Sequence, residues 1–187
     1  MNSATSDQII KNILENAKTI AMVGVSAIKN EDSANIKRRP STIVMKYMQE
    51  FGYRVIPVNP ISVGKKIYGE TVFGDLKDIP ITIDIVNIFR PSKETPFFAT
   101  KAAEISAKVL WLQYGIHNDE AKKISDTSNI TYISNKCIKQ EYQKLFLKIN
   151  PVFPVLKKRY LKIIAIFRYY RINNSFDRQS KFWKKFL

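Results

Sequence analysis

The chain predicts an α/β fold: a doubly wound, five-stranded parallel sheet with a helical, basic C-terminal extension. Three observations carry this. Five short runs are almost continuously apolar, the pattern of strands buried on both faces rather than one. The segments between them place apolar residues at helical spacing. The 187 residues, 45% of them apolar and 25% charged, suffice for one full core plus an appendage.

The elements follow in order. Residues 7–16 put Ile9, Ile10, Ile13 and Leu14 on one helix face, with Ser6 or Asp7 as cap. TIAMVGV, residues 19–25, is the first strand. A polar loop runs from Ser26 to Arg39. Residues 41–51 form a helix with Val44, Tyr47, Met48 and Phe51 on one face. Pro40 and Ser41 mark its start and Gly52 its end. RVIPV, residues 54–58, is the second strand, followed by Asn59-Pro60 and a loop carrying Gly64, Lys65 and Lys66. IDIVNIF, residues 83–89, is the third. Helical residues 92–106 have Pro96 near the first turn. Residues 109–113 give the fourth strand, 118–128 a helix, 129–133 the fifth strand, and 138–149 a closing helix. Pro151 and Pro154 then break the chain, which divides it into a domain of residues 1–150 and an extension of residues 151–187.

Charge separates the same two regions. Residues 1–150 hold 21 Lys and Arg against 15 Asp and Glu; residues 151–187 hold ten against Asp177 alone. Such a tail attracts phosphate-bearing partners. Within it Leu156, Tyr160, Ile163, Ile164, Phe167 and Tyr170 fall near helical spacing, bordered by Lys and Arg. We expect this stripe to pack on its own domain or on a twin subunit in a homo-oligomer, with contact to nucleic acid or an anionic membrane as the minority reading. No apolar run reaches the roughly 20 residues that cross a bilayer. The first eight residues do not read as a secretory signal. Cys137 is the only cysteine, which fits a reducing compartment. The expected location is cytoplasmic.

In open parallel sheets ligands bind beyond the carboxyl ends of the strands, where strand order reverses. There the sequence places Gly24, Val25 and Ser26; Asn59 and Pro60; Phe89, Arg90 and Pro91; Gln113, Tyr114 and Gly115; and Asn135 with Cys137. Gly24 allows close backbone approach, Ser26 supplies a hydroxyl, and a helix start at Ser41 aims free N–H groups at the same place. A strand-end glycine is as often a plain turn. The second strand ends in Asn59, not the acid that grips a ribose in NAD enzymes. Lys65 and Lys66 follow. That favours a ligand with extra phosphate, such as coenzyme A, whose charge Arg38, Arg39, Lys65, Lys66 and Arg90 would offset.

The stretches IAMVGVS (20–26), RPS (39–41), YRVIPVNP (53–60), the turn at 64–70, LKDIP (76–80), DIVNIFR (84–90), VLWLQYGIHNDEA (109–121) and NKCIKQEY (135–142) occur in this order. Together they resemble the small bacterial CoA-binding-domain proteins, similar to the CoA-binding domain of the succinyl-CoA synthetase alpha subunit. The resemblance implies a Rossmann-like fold and binding of coenzyme A or acyl-CoA. It implies Gly24, Val25 and Ser26 for the diphosphate, and Asn59 and Pro60 for the adenosine side. It further implies Phe89 and Arg90 for the ligand channel, and Gln113 with Gly115 near the pantetheine path. The loop after Ser26 is longer than that family leads one to expect, and residues beyond 150 have no counterpart in it.

No catalytic constellation is visible. His117, the only histidine, reads as a surface residue, and Ser26 lacks a base at a recognisable spacing. Cys137 and Glu141 share a helix face; a buried structural thiol is favoured over one that reacts with the ligand. The expectation is a non-catalytic CoA-binding protein. The alternatives are a protein binding NAD(P)-type dinucleotides and an adaptor working through its basic tail.

Overall fold

The computed structural model describes residues 6–25 and 39–148. Ser26, Arg38 and the extension from 151 onward lie outside them, so the readings placed there are not addressed by the fold.

A five-stranded parallel sheet is built from β1 (Thr19–Val23), β2 (Arg54–Val58), β5 (Ile85–Ile88), β6 (Val109–Leu112) and β7 (Thr131–Ile133), in spatial order β2-β1-β5-β6-β7. The chain goes from β1 outward to β2, then returns to the other side of β1 to lay down β5, β6 and β7. Strand order therefore reverses between β1 and β5, and that pair of strand ends is the switch point of this Rossmann-like sheet. Two-residue strands β3 (Lys66–Ile67) and β4 (Glu70–Thr71) form a separate antiparallel hairpin after β2. The sequence marked this segment only as a loop, because two-residue strands have no readable period.

Both faces of the sheet are covered, as the continuous apolar runs require. Side chains alternate along each strand. Ala21, Val23, Ile56, Val58, Val86, Ile88, Leu110 and Leu112 pack with Ala99, Ala102 and Ala121 of α3 (Thr95–Glu104) and α4 (Asp119–Thr127). The alternate residues Ile20, Met22, Ile85, Asn87 and Trp111 are equally buried on the opposite face. That face belongs to α1 (Ser6–Asn16), α2 (Pro40–Glu50) and α5 (Ile138–Leu147), which bury Ile10 and Leu14, Met45 and Met48, and Ile138. Tyr142 of α5 sits among Phe51, Tyr53 and Phe146, and the Tyr53 hydroxyl donates to the Leu14 carbonyl at 2.6 Å. No helix among the described residues is long and apolar enough to cross a membrane.

Element ends depart from the sequence reading by one to three residues, for local reasons. β1 stops at Val23, not Val25, because Gly24 turns with φ +90°. α3 begins at Thr95, and Ser92–Glu94 is a single 3-10 turn ahead of it. Asn118 caps α4, its side-chain oxygen accepting from the Ala121 N–H at 2.9 Å.

Candidate functional site

Gly24 is the first residue past β1 at the switch point. Its N–H still reaches β2, donating to the Val58 carbonyl at 3.0 Å. A Cβ on Gly24 would lie 2.8 Å from the Phe89 carbonyl oxygen and 3.0 Å from Cδ of Arg90. Glycine is thus demanded twice: by its positive φ, and by the chain leaving β5, which crosses directly over it. The close approach is made by the protein's own backbone. Val25 follows and is fully buried. Its carbonyl accepts from Nδ2 of Asn59 at 2.9 Å. The other end of the Asn59 amide, Oδ1, accepts from the Ile61 N–H at 3.0 Å and caps the turn Pro60–Ser62. Asn59 is therefore a clasp between the ends of β1 and β2, and Pro60 begins the turn it caps.

The start of α2 lacks a side-chain cap: Arg39 occupies the capping position and makes no capping bond. Pro40 is the first helical residue, and Ser41 is buried in the first turn. The exposed Arg39 side chain and this uncapped terminus suit an anion. Lys65 and Lys66 are exposed on the β3–β4 hairpin, which Glu70 and Arg54 tie back to β2 at 3.4 Å.

Beyond β5, the Phe89 N–H donates to the Val23 carbonyl at 2.9 Å, extending the β1–β5 ladder past the strand ends. Arg90 is not a free cation. Glu94 grips it with two bonds, Nε to Oε2 at 2.8 Å and a terminal nitrogen to Oε1 at 3.2 Å. Glu94 was not singled out from sequence; its i, i+4 spacing to Arg90 was the available signal. Gln113 continues the ladder one residue past β6, its N–H donating to Ile88 at 3.3 Å. Its side chain is buried, and Nε2 donates to Oδ1 of Asn87 at 2.8 Å. Asn87 lies in β5, is fully buried, and its Nδ2 has no hydrogen-bond partner. Gly115 turns at φ +79°, and its N–H is held by Oδ1 of Asn135 at 2.8 Å. The structure thus brings Gly24, Asn59, Phe89, Arg90 and Gln113 together around the β1/β5 strand ends, with Gly115 one turn beyond Gln113.

Three other polar residues are placed as follows. Exposed His117 lies between Ser134 Oγ, 3.2 Å from Nδ1, and Asp119, 3.1 Å from Nε2. Cys137 is half-buried at the start of α5. The Glu141 carboxylate faces Lys136 at 3.6 Å, and its buried Oε2 has no hydrogen bond.

An open parallel sheet with a glycine turn at its switch point and no acid closing β2 defines a Rossmann-like protein. Comparison with known proteins narrows the class: residues 18–143 match the family described as CoA binding domain, and the chain belongs to that family. It is 39% identical over 130 residues to the uncharacterized protein YneT of Bacillus subtilis, covering 70% of this chain and 89% of that one. Among solved structures it is similar to a hypothetical protein from Pyrococcus horikoshii, at 35% identity and TM-score 0.67, covering 78% of this chain and 99% of that one. A Thermus thermophilus protein is similar at 32% identity and TM-score 0.66, covering 78% and 100%.

Proposed function

We propose that the chain binds coenzyme A or acyl-CoA, without itself catalysing a reaction, in the crevice outside the ends of β1 and β5. The observation that carries this is Asn59. Where a dinucleotide enzyme would present a carboxylate to the ribose hydroxyls, this chain presents an amide already engaged with Val25 and Ile61. Family membership supplies the ligand class. The uncapped first turn of α2 and the backbone at Gly24 and Val25, with Ser26 next in the sequence, would serve the diphosphate, with Ser41 in that helix turn. Arg39, Lys65 and Lys66 would offset the remaining phosphate charge. Phe89 and Arg90 would border the channel, and Gln113 and Gly115 would line the path of the pantetheine arm. Titration calorimetry of the full chain with CoA, NAD and NADP tests the reading. CoA should bind most tightly; preferential binding of NAD would overturn it.

A further inference from the structure

Among the described residues, Asn87 is the only polar residue buried inside a strand of the sheet. It is the second-last residue of β5, in register with Met22 of β1 and Trp111 of β6, one step below the switch point. Every strand neighbour is apolar, so an aliphatic residue would fit the pattern at no polar cost. The amide instead leaves Nδ2 unpaired, and a buried donor without a partner costs about 1–3 kcal/mol. Polar pairs in a low-dielectric interior are stabilising when fully satisfied and costly when half satisfied. This one is half satisfied.

The second half of the pair, Gln113, lies just past the end of β6. Gln113 lies two residues past Trp111 and shares its face by strand alternation. Asn87 Oδ1 holds Gln113 Nε2, which leaves Gln113 Oε1 as an acceptor. Beyond the bond between them, the pair keeps unused donors on Asn87 Nδ2 and an acceptor in Gln113 Oε1. Rotating both amides by half a turn exchanges their roles but leaves the same offer, so the conclusion does not depend on which atom is nitrogen. A donor together with an acceptor complements a secondary amide.

We propose that Asn87 and Gln113 are the recognition element for an amide-bearing arm of the ligand, with Asn87 as the inner, positioning member and Gln113 as the outer one. The inference rests on the coenzyme A reading and deepens it: the pantetheine arm carries two secondary amides, whereas the nucleotide portion carries none. The pair sets specificity for the arm, and the phosphate contacts hold the nucleotide.

The test uses the full-length chain and two ligands, CoA and 3′-phospho-ADP, which lacks the arm. Asn87→Val and Gln113→Met are each titrated with both, after circular dichroism shows the fold intact; if one variant does not fold, the other carries the test. CoA should bind about tenfold more weakly to each variant, the loss of one well-placed hydrogen bond, while 3′-phospho-ADP binds as to the wild type. Asn87→Val removes one unpaired donor but strands another, Nε2 of Gln113, so its melting temperature should change little. Equal loss for both ligands would assign the pair a structural role and overturn the proposal. Unchanged CoA affinity would overturn it too. A wild-type chain that binds 3′-phospho-ADP as tightly as CoA would overturn the arm subsite alone. One that binds neither would overturn the coenzyme A reading as well.

Discussion

Asp84 and Asn87 stand three residues apart at opposite ends of β5, and their surroundings could hardly differ more. At the amino edge of the sheet, Oδ2 of Asp84 accepts from the Lys18 N–H at 2.8 Å, the Thr19 N–H at 3.1 Å and the Thr19 hydroxyl at 3.1 Å, while Oδ1 takes the Lys108 ammonium at 2.8 Å. One carboxylate pins the starts of β1, β5 and β6. At the carboxyl edge, Asn87 keeps an unpaired donor, Glu141 keeps an unpaired acceptor oxygen, and α2 starts without a cap. A polar group with every bond made holds a fold together. One left short of partners costs stability where it stands. The difference teaches where on this sheet to look for stability and where for binding.

The largest effect should fall on the one carboxyl-edge residue that serves both purposes. Gly24→Ala places a Cβ 2.8 Å from a carbonyl oxygen and forces an L residue to φ +90°. It should cost about 2–4 kcal/mol of stability, read by urea denaturation, and weaken CoA binding as well. Retained stability would mean that the crossing of Phe89 over the β1 turn is loose.

Asp84→Ala should come next, at about 2–3 kcal/mol, because it strands two backbone donors at the edge of the sheet. CoA affinity should not change, and a loss of affinity would erase the distinction between the edges. The same residue gives a pH signature. Burial pushes the Asp84 carboxyl up, but the Lys108 ammonium and the Lys18 and Thr19 hydrogen bonds outweigh it and hold the pKa at about 2, below the ordinary 3.8. Its folded-state pKa is depressed, so its contribution is complete above pH 3.8 and is lost as pH falls through about 2. After allowance for screening, about 1–2 kcal/mol should disappear in that window for the wild type and not for Asp84→Ala. Parallel acid-denaturation curves would contradict this.

The smallest stability effect concerns Arg90. Its pair with Glu94 is half-exposed, so Glu94→Gln should shift stability by less than about 0.5 kcal/mol. Freed of its partner and of a neighbouring negative charge, Arg90 should bind CoA a few-fold more tightly, more so at low salt. Weaker binding would show that the ion pair shapes the channel by holding Arg90 in place.

The sheet was legible in the sequence because strands buried on both faces leave uninterrupted apolar runs; β2 was read to the residue. The strand ends were less so. Gly24 and the Asp84 clasp set where β1 ends and β5 begins through contacts with other strands, and no local pattern reports these. The site was legible as a set of positions and not as a circuit. Asn59 was read as an absence of acid, but its clasp on Val25 depends on the spacing of β1 and β2. Arg90 was read as a cation offsetting ligand charge, without its partner Glu94. Asn87 was absorbed into the run IDIVNIF, where it is the lone amide among aliphatic residues. That break in the apolar run was the signal available, and it becomes meaningful only once Gln113 is seen beside it.

The contrast between the two edges can be measured in one titration. Uniformly 15N-labelled full-length protein is followed by amide chemical shifts as CoA is added. Saturable shifts are expected at Gly24, Phe89, Gln113 and Gly115, with the Asn87 side-chain NH2 moving among the most, and none at Lys18, Thr19 or Lys108. Shifts concentrated at the amino edge, or a carboxyl edge that stays silent at saturating CoA, would contradict this.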